Sequence, residues 1–318
     1  MNSMVATSPL TYLARTSERW DLIETRNCTR QLGRKYLFRT SDNSIIETGV
    51  YAHCGELDRP RAMKIDAGVE IATQAGCGQR CIMCASGALK HTRNLSNEEM
   101  WQQISTTIHT EGITPNSMEQ LFFVSAMGIG EPSLNATNVL EVMKMVREHF
   151  PKADINISTN GINPEAISFW ADGLTGPLHL QLSLHGPDDE TRVRIMPGIR
   201  GTKNATIEKM LEQTDYFHRV HPAGKIWVAY TPLCGINDSD TQIEKLLRKT
   251  LYSRRDFLTL KFLVLNRTSI SDANGLRSAD LDRIQRWVDE AKNTGYYSSY
   301  RWRIMTDIAC GQLALDNL

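Results

Sequence analysis

Residues 70–87 read Glu-Ile-Ala-Thr-Gln-Ala-Gly-Cys-Gly-Gln-Arg-Cys-Ile-Met-Cys-Ala-Ser-Gly. Cys77, Cys81 and Cys84 stand at the spacing CxxxCxxC, and no fourth cysteine follows nearby. Three thiolates can hold three irons of a 4Fe–4S cluster, whereas complete ligation by protein takes four. The fourth iron then keeps an open coordination position, where chemistry can occur. A short strand-like run, 69–72, leads directly into the loop. The competing reading is a structural zinc loop or incidental buried cysteines. Zinc would want a fourth Cys or His at short spacing, and His91 is the only near candidate.

The chain has 318 residues, 41% of them apolar and 23% charged, values of an ordinary globular protein of one barrel-sized domain or two smaller ones. No apolar run reaches the eighteen or so residues that a membrane span needs. The opening MNSMVATSPL lacks the charged-then-apolar order of a signal peptide. Seven cysteines in a chain this long do not make a disulfide scaffold. An oxygen-sensitive cluster suits a reducing cytoplasm, which is the expected location. Net charge is zero, which lowers the expectation of an RNA partner without excluding a local basic stripe.

Outward from the cysteine loop, strands and helices alternate. Strands are expected over 69–73, 121–126, 154–159, 179–184, 226–232 and 258–265, and helices near 97–109, 136–150, 164–171, 205–218 and 240–251. Ser96, followed by Glu98 and Glu99, makes a plausible start for the first helix. Six β/α units imply a mainly parallel sheet covered by helices, and six rather than eight imply an open, partial (β/α)6 TIM barrel. Ahead of it, 36–40 and 44–52 read as a hairpin around Ser41-Asp42-Asn43, preceded by a possible helix over 9–19 and followed by a loop over 54–66. A helix over 278–293 and a strand over 300–305 lead into the tail 307–318. The expected division is an N-terminal extension, 1–66, carrying the hairpin, and a core, 67–318, ending in a loop around Cys310.

In such a barrel the active site lies at the C-terminal ends of the strands. After the second core strand stands Met127-Gly128-Ile129-Gly130-Glu131-Pro132, where glycines let backbone approach a ligand and an acid can hold an ammonium. After the third comes Ser158-Thr159-Asn160-Gly161, after the fourth Ser183-Leu184-His185-Gly186, and after the sixth Asn266. Each alone has a bland reading as strand-end capping. Together they converge on one barrel mouth.

These segments resemble the RlmN/Cfr class of radical S-adenosylmethionine (SAM) enzymes, RNA adenosine C-methylases. Gly128 to Pro132 with Leu134-Asn135 looks like the family's GMGEPLLN segment, and Ser183-Leu184-His185 like its SLH motif. Asp307 to Ala314 is close to its C-terminal ACGQLAG segment, and Ile46-Glu47-Thr48 matches its ETVYIP strand. The similarity runs over roughly residues 45 to 316, in family order. It implies a 4Fe–4S cluster on Cys77, Cys81 and Cys84, with SAM on the open iron. It also implies that Gly130, Glu131, Ser158, Ser183, Leu184, His185 and Asn266 bind SAM. One SAM would methylate Cys310. A second would be cleaved to a 5′-deoxyadenosyl radical that takes hydrogen from that methyl group, and the methylene radical would add to an adenosine carbon. Glu47 would then remove the ring proton. Apart from the family, a thiolate is the nucleophile that an S-methyl donor seeks, and Cys310 lies among small residues near the chain end.

Two features depart from the family. Its second cysteine, seven residues before the first cluster cysteine, is replaced here by Glu70, which cannot form the disulfide that releases product. Cys54 is the best substitute thiol, with Cys28 and Cys234 weaker. Only 46 residues precede Glu47, too few for the family's helical accessory domain, which puts a large RNA substrate in doubt. Arg192, Arg194, Arg200 and Lys203 cluster after the SLH loop and could meet phosphates, as could Arg254 with Arg255. The first reading is therefore a radical-SAM C-methylase acting through Cys310 and Glu47 on a heteroaromatic, adenosine-like substrate, either RNA or a smaller molecule. The alternative is a radical-SAM enzyme that takes hydrogen directly from a non-RNA substrate without methyl transfer. A reading of another class is a non-catalytic, metal-containing RNA-binding protein. Either enzyme would need an electron donor such as flavodoxin or ferredoxin.

Overall fold

The computed structural model describes residues 21–27, 33–53, 66–113, 122–301 and 311–317. The expected helix over 9–19, the loop after the hairpin, Cys28, Cys54 and Cys310 lie outside them.

Apart from a two-stranded antiparallel ribbon that pairs Gln74–Ala75 of the cysteine loop with Arg93–Asn94, the described strands form a ten-stranded sheet in simple order. Three antiparallel strands open it: β1 (Asp21–Asn27), β2 (Gly33–Arg39) and β3 (Ile45–His53). β3 pairs antiparallel with β4 (Asp66–Ile71), so the hairpin and the core share one sheet. Within the ten-stranded sheet, every pairing from β4 onward is parallel, through β5 (Phe122–Ala126), β6 (Asp154–Thr159), β7 (Leu178–Ser183), β8 (Ile226–Tyr230), β9 (Leu258–Leu263) and β10 (Tyr297–Arg301). The six expected core strands are present, and β10 extends the parallel set by one. β1 was not expected, because Asp-Leu-Ile-Glu-Thr-Arg-Asn carries too little apolar alternation for an edge strand to declare itself.

Helices cover the outer face: α1 (Asn97–Glu111), α2 (Ala136–His149), α3 (Glu165–Gly173), α4 (Asp189–Ile195), α5 (Ile207–Val220), α6 (Asp240–Lys245), α7 (Ser269–Ala273) and α8 (Leu281–Asn293). A last short helix, α9 (Gln312–Asp316), follows Cys310. Ser96 caps α1 as expected, its hydroxyl accepting from Glu99 N while Glu99 accepts from Ser96 N at 2.9 Å. None of the described helices is long and apolar enough to cross a membrane.

The parallel strands alternate rather than run continuously apolar. Val69, Ile71, Val124, Ile155, Leu180 and Val228 are fully or almost fully buried in the main core. Their neighbours Glu70, Ser125, Asn156, Gln181 and Ser183 point to the opposite face, as the two-residue period of a strand requires. A closed barrel fills that inner face with branched apolar side chains. Here it is polar, the composition of a surface that meets a polar ligand.

Gln103 of α1 ties the core to the start of the cysteine loop. Fully buried, its Oε1 accepts from Ala72 N at 2.8 Å and Thr48 Oγ1 at 2.9 Å, and its Nε2 donates to Ala72 O at 3.0 Å. Gln103→Ala strands three buried polar groups, each costing roughly 1–3 kcal/mol. The variant is expected to lose about 2–4 kcal/mol in denaturant unfolding, allowing for partial rescue by water. A loss under about 0.5 kcal/mol, the range of ordinary surface substitutions, would refute this role.

Candidate active site

The cysteine loop leaves β4 at the C-terminal edge of the sheet and is fixed from both sides. Thr73 N donates to Ile129 O at 2.8 Å, and Gly128 N donates to Ile71 O at 3.0 Å. The glycine-rich turn after β5 is thereby laced to the loop. Gly130 adopts φ +111°, and an added Cβ would fall 2.7 Å from Thr73 Oγ1 and 2.8 Å from Gln74 N. Only glycine lets these two backbones close on each other. On the far side, Gly198 N donates to Gln79 O at 2.8 Å. Ile195, Met196, Ile199, Leu233 and Leu265 form a second apolar cluster against which Cys81, Ile82 and Met83 pack.

Cys77 is buried, and Cys81 and Cys84 are half-buried. Burial pushes the Cys77 thiol up to about 12 and the Cys81 and Cys84 thiols above their ordinary range. The charges that oppose ionisation include the cysteines themselves, since Cys84 acts on Cys77, and both Cys84 and Cys77 act on Cys81. Three adjacent buried thiols become thiolates together only against a strong positive charge, which is the environment a metal cluster provides. Backbone N–H groups of Ser86 and Gly87 face the Cys84 sulfur and favour its thiolate. Three cysteines with no fourth nearby supply donors of the kind and number that three corners of a 4Fe–4S cluster take.

Glu131 departs from the reading of it as an open acid. Its carboxylate accepts from Ser133 N and Asn160 N, both at 3.0 Å, and from the Thr159 hydroxyl. Burial raises the carboxyl above its ordinary value, while the hydrogen bonds from Thr159, Asn160 and Ser133 pull it back. The side chain caps a turn and ties β5 to β6. Ser158 Oγ accepts from Gln181 Nε2 at 3.2 Å on the polar inner face. Ser183 and Asn266 are half-buried at the ends of β7 and β9, whereas Leu184 is buried in the main core.

His185 stands at φ +53°, a conformation that few non-glycine residues adopt. Its Nδ1 accepts from Thr231 N at 3.1 Å, which fixes the tautomer with the proton on Nε2. Burial, with Arg192 nearby, lowers the imidazole to about 3, so it is neutral at any physiological pH. Asn237 Nδ2 holds the His185 carbonyl at 2.7 Å.

The basic cluster divides. Arg194, Arg200 and Lys203 are exposed, but Arg192 is fully buried and donates to Asn160 O at 2.5 Å and Ala205 O at 3.2 Å. It is an internal tie, unavailable to phosphates. Arg254 pairs through two 2.7 Å bonds with Asp215, and Arg255 stacks over Tyr252.

Glu47 lies in β3, and its carboxylate is almost completely buried. Oε1 accepts from Lys35 Nζ at 2.8 Å and from Gly311 N at 3.0 Å, and Oε2 accepts from Ala314 N at 3.2 Å. Lys35 also donates to Glu70 Oε1 at 2.9 Å. Sequence reasoning passed over Lys35, which follows Arg34 directly and leads into the apolar run Tyr36-Leu37-Phe38. It also passed over Gln79, whose Oε1 accepts from Asn160 Nδ2 at 2.7 Å beside the cysteines.

The sequence profile of the Radical SAM superfamily matches residues 71–249. A probable dual-specificity RNA methyltransferase RlmN of Exiguobacterium sibiricum is 32% identical over 285 residues, covering 88% of this chain and 74% of the relative. Its counterpart in Deinococcus deserti is also 32% identical, over 88% of this chain and 77% of the relative. Among solved structures, a radical SAM methyltransferase from Sphaerobacter thermophilus superposes with a TM-score of 0.76 at 25% identity, covering 92% of this chain and 80% of that one. The open parallel sheet, the three cysteines at its C-terminal edge and this extent of similarity lead to one assignment: the chain belongs to the radical-SAM superfamily and, within it, to the RlmN family, and it is a methyltransferase using a 4Fe–4S cluster and SAM.

Proposed function

We propose that the protein methylates an sp2 carbon of an adenosine-like heteroaromatic through Cys310, with Glu47 as the base that takes the ring proton. The observation that carries this is a convergence of three distant segments. Gly311, the residue after Cys310, donates its N–H to Glu47, and its α-carbon packs on Ser86, two residues beyond Cys84, where an added Cβ would fall 2.4 Å from Ser86 Oγ. The candidate base, the edge of the cysteine loop and the neighbour of the candidate thiol therefore meet at one place.

In this reading Cys77, Cys81 and Cys84 hold the cluster, and SAM lies along Gly130, Glu131, Ser158, Ser183 to His185 and Asn266. When bound, the cluster supplies the electron that cleaves SAM. Gly130 offers close-approach backbone to SAM, the neutral His185 offers an Nε2–H donor, and Ser158 and Ser183 offer hydroxyls on the inner face. Glu47 Oε1 already accepts from Lys35 and Gly311, whereas Oε2 accepts only from Ala314 N and keeps a lone pair that can take a proton. An external donor of the flavodoxin or ferredoxin kind, and a reducing compartment such as the cytoplasm, complete the scheme.

The name of the relatives points to RNA as substrate, and exposed Arg194, Arg200 and Lys203 offer phosphate contacts near the cysteine loop. Glu70, in place of a resolving thiol, favours a second reading in which the radical takes hydrogen from substrate directly. Intact-protein mass spectrometry after anaerobic incubation with deuteromethyl-SAM separates the two. A label on Cys310, passing on to RNA or to a small molecule in a cell extract, supports methyl transfer. Turnover with unmodified Cys310 would overturn it.

Two further outcomes are expected. Anaerobic reconstitution should give about four irons per chain and deoxyadenosine on reduction, both lost on replacing Cys77, Cys81 and Cys84 by alanine. Stoichiometric zinc with no SAM cleavage would refute the cluster assignment. Glu47→Gln should still cleave SAM but form product about 10²–10⁴-fold more slowly. Unchanged product formation would leave Glu47 with a structural role alone.

A further inference from the structure

Lys35 pairs with Gly49 across β2 and β3, and Gly49 pairs with Glu70 across β3 and β4. These three residues therefore stand in one row across the sheet. The middle one has no side chain, which opens a lane for the Lys35 stem to reach past β3 to Glu70. Glu47 lies two residues from Gly49, on the same face of β3. Lys35 thus meets both carboxylates, at 2.8 and 2.9 Å, with all three side chains between 0 and 3% exposed. Its ammonium is shared by two acids, and one of them receives the chain end: Gly311 N and Ala314 N both donate to Glu47.

We propose that Lys35 and Glu70 are positioning residues: with Glu47 they form a buried charged latch that seats the segment starting at Gly311 against the cysteine loop at Ser86. The functional meaning rests on the reading of Cys310 as the reacting thiol. Glu70 then has a physical role of its own. Where relatives are expected to use a thiol for covalent release, this chain uses a carboxylate that fixes Lys35, and through Lys35 the carboxylate that holds the C-terminal segment. Charge-assisted hydrogen bonds of this kind are the strong ones, and an ammonium held from two directions has little freedom to leave. Gly311 adds a fit that no other residue makes, because its φ of +80° and the Ser86 backbone 2.6 Å from an added Cβ leave no room for a side chain.

The test needs neither cluster nor SAM. In the full-length apoprotein, hydrogen exchange is followed in the peptide spanning 311–317, together with alkylation of Cys310 by iodoacetamide mapped by peptide mass. Glu70→Gln, nearly isosteric, and Lys35→Met should each speed both processes by about tenfold or more relative to wild type. Lys35→Arg, which keeps the cation, should recover most of the protection. Lys144→Met, which removes an exposed pair with Glu141, should change neither. Exchange in α1 and β5 reports global stability and should hold steady in Glu70→Gln. If Lys35→Met does not fold, Glu70→Gln and Lys35→Arg still decide. Wild-type exchange over 311–317 in Glu70→Gln, or a rise shared equally by α1 and β5, would overturn the latch. Methylation of wild-type Cys310 is measured separately. Its failure with the latch intact would count against the methylase reading alone.

Discussion

A single buried ammonium organises the junction between the first strands, the core and the end of the chain. Lys35 has no exposed surface and stands between Glu47 and Glu70. Removing three charges from water costs several kcal/mol for each, and their mutual attraction repays this only when every remaining lone pair finds a partner. The partners for Glu47 come from residues 311 and 314, more than 260 positions away in sequence. The C-terminal segment is therefore part of what makes the triad affordable. Loss of Lys35 would leave two carboxylates without their shared cation, the kind of change that typically costs about 3–5 kcal/mol, whereas loss of one acid leaves Lys35 paired with the other.

The sheet makes that arrangement geometrically possible. Antiparallel pairing of β2 with β3 and of β3 with β4 sets Lys35, Gly49 and Glu70 in register. β4 then runs straight into the cysteine loop, so a residue that anchors the triad also precedes the first cysteine by seven positions. The remaining parallel strands deliver Gly130, Ser158, Ser183, His185 and Asn266 to the same edge. Internal hydrogen bonds, rather than ligand contacts, fix much of that edge: Glu131 on Ser133, Thr159 and Asn160, and Asn237 on the His185 carbonyl. A site built this way is shaped before any ligand arrives.

The parallel core and the cysteine triplet were legible because both rest on spacing, and spacing survives in a bare sequence. Strand β6 and the cap at Ser96 fall where pattern and capping chemistry put them. What pattern could not supply was direction. Glu131 beside glycine reads as an acid facing ligand, yet its carboxylate turns inward to backbone N–H groups. Arg192 reads as one of a basic cluster, yet it is buried as a tie to Asn160 and Ala205. Helix α4 is only seven residues long, with two acids and two arginines, so it offered no apolar stripe to read. Its cap at Asp188 was the one usable sign. Cys310 itself was legible only from its neighbours' resemblance to a known segment, and it lies outside the described residues.

Glu70 shows why residue identity and residue environment have to be read together. From sequence alone it is a loss, a carboxylate where a nucleophilic sulfur is expected. Within the sheet it is one half of a pair whose other half, Lys35, sits across an empty glycine position. A neutral thiol there could accept only a weak hydrogen bond from the ammonium, whereas a carboxylate accepts a strong one. The substitution therefore does two things: it removes an option for covalent chemistry, and it strengthens the hold on Lys35 and hence on Glu47. The hold on Glu47, and through it on Gly311 and Ala314, is accordingly firmer than a thiol at position 70 would make it.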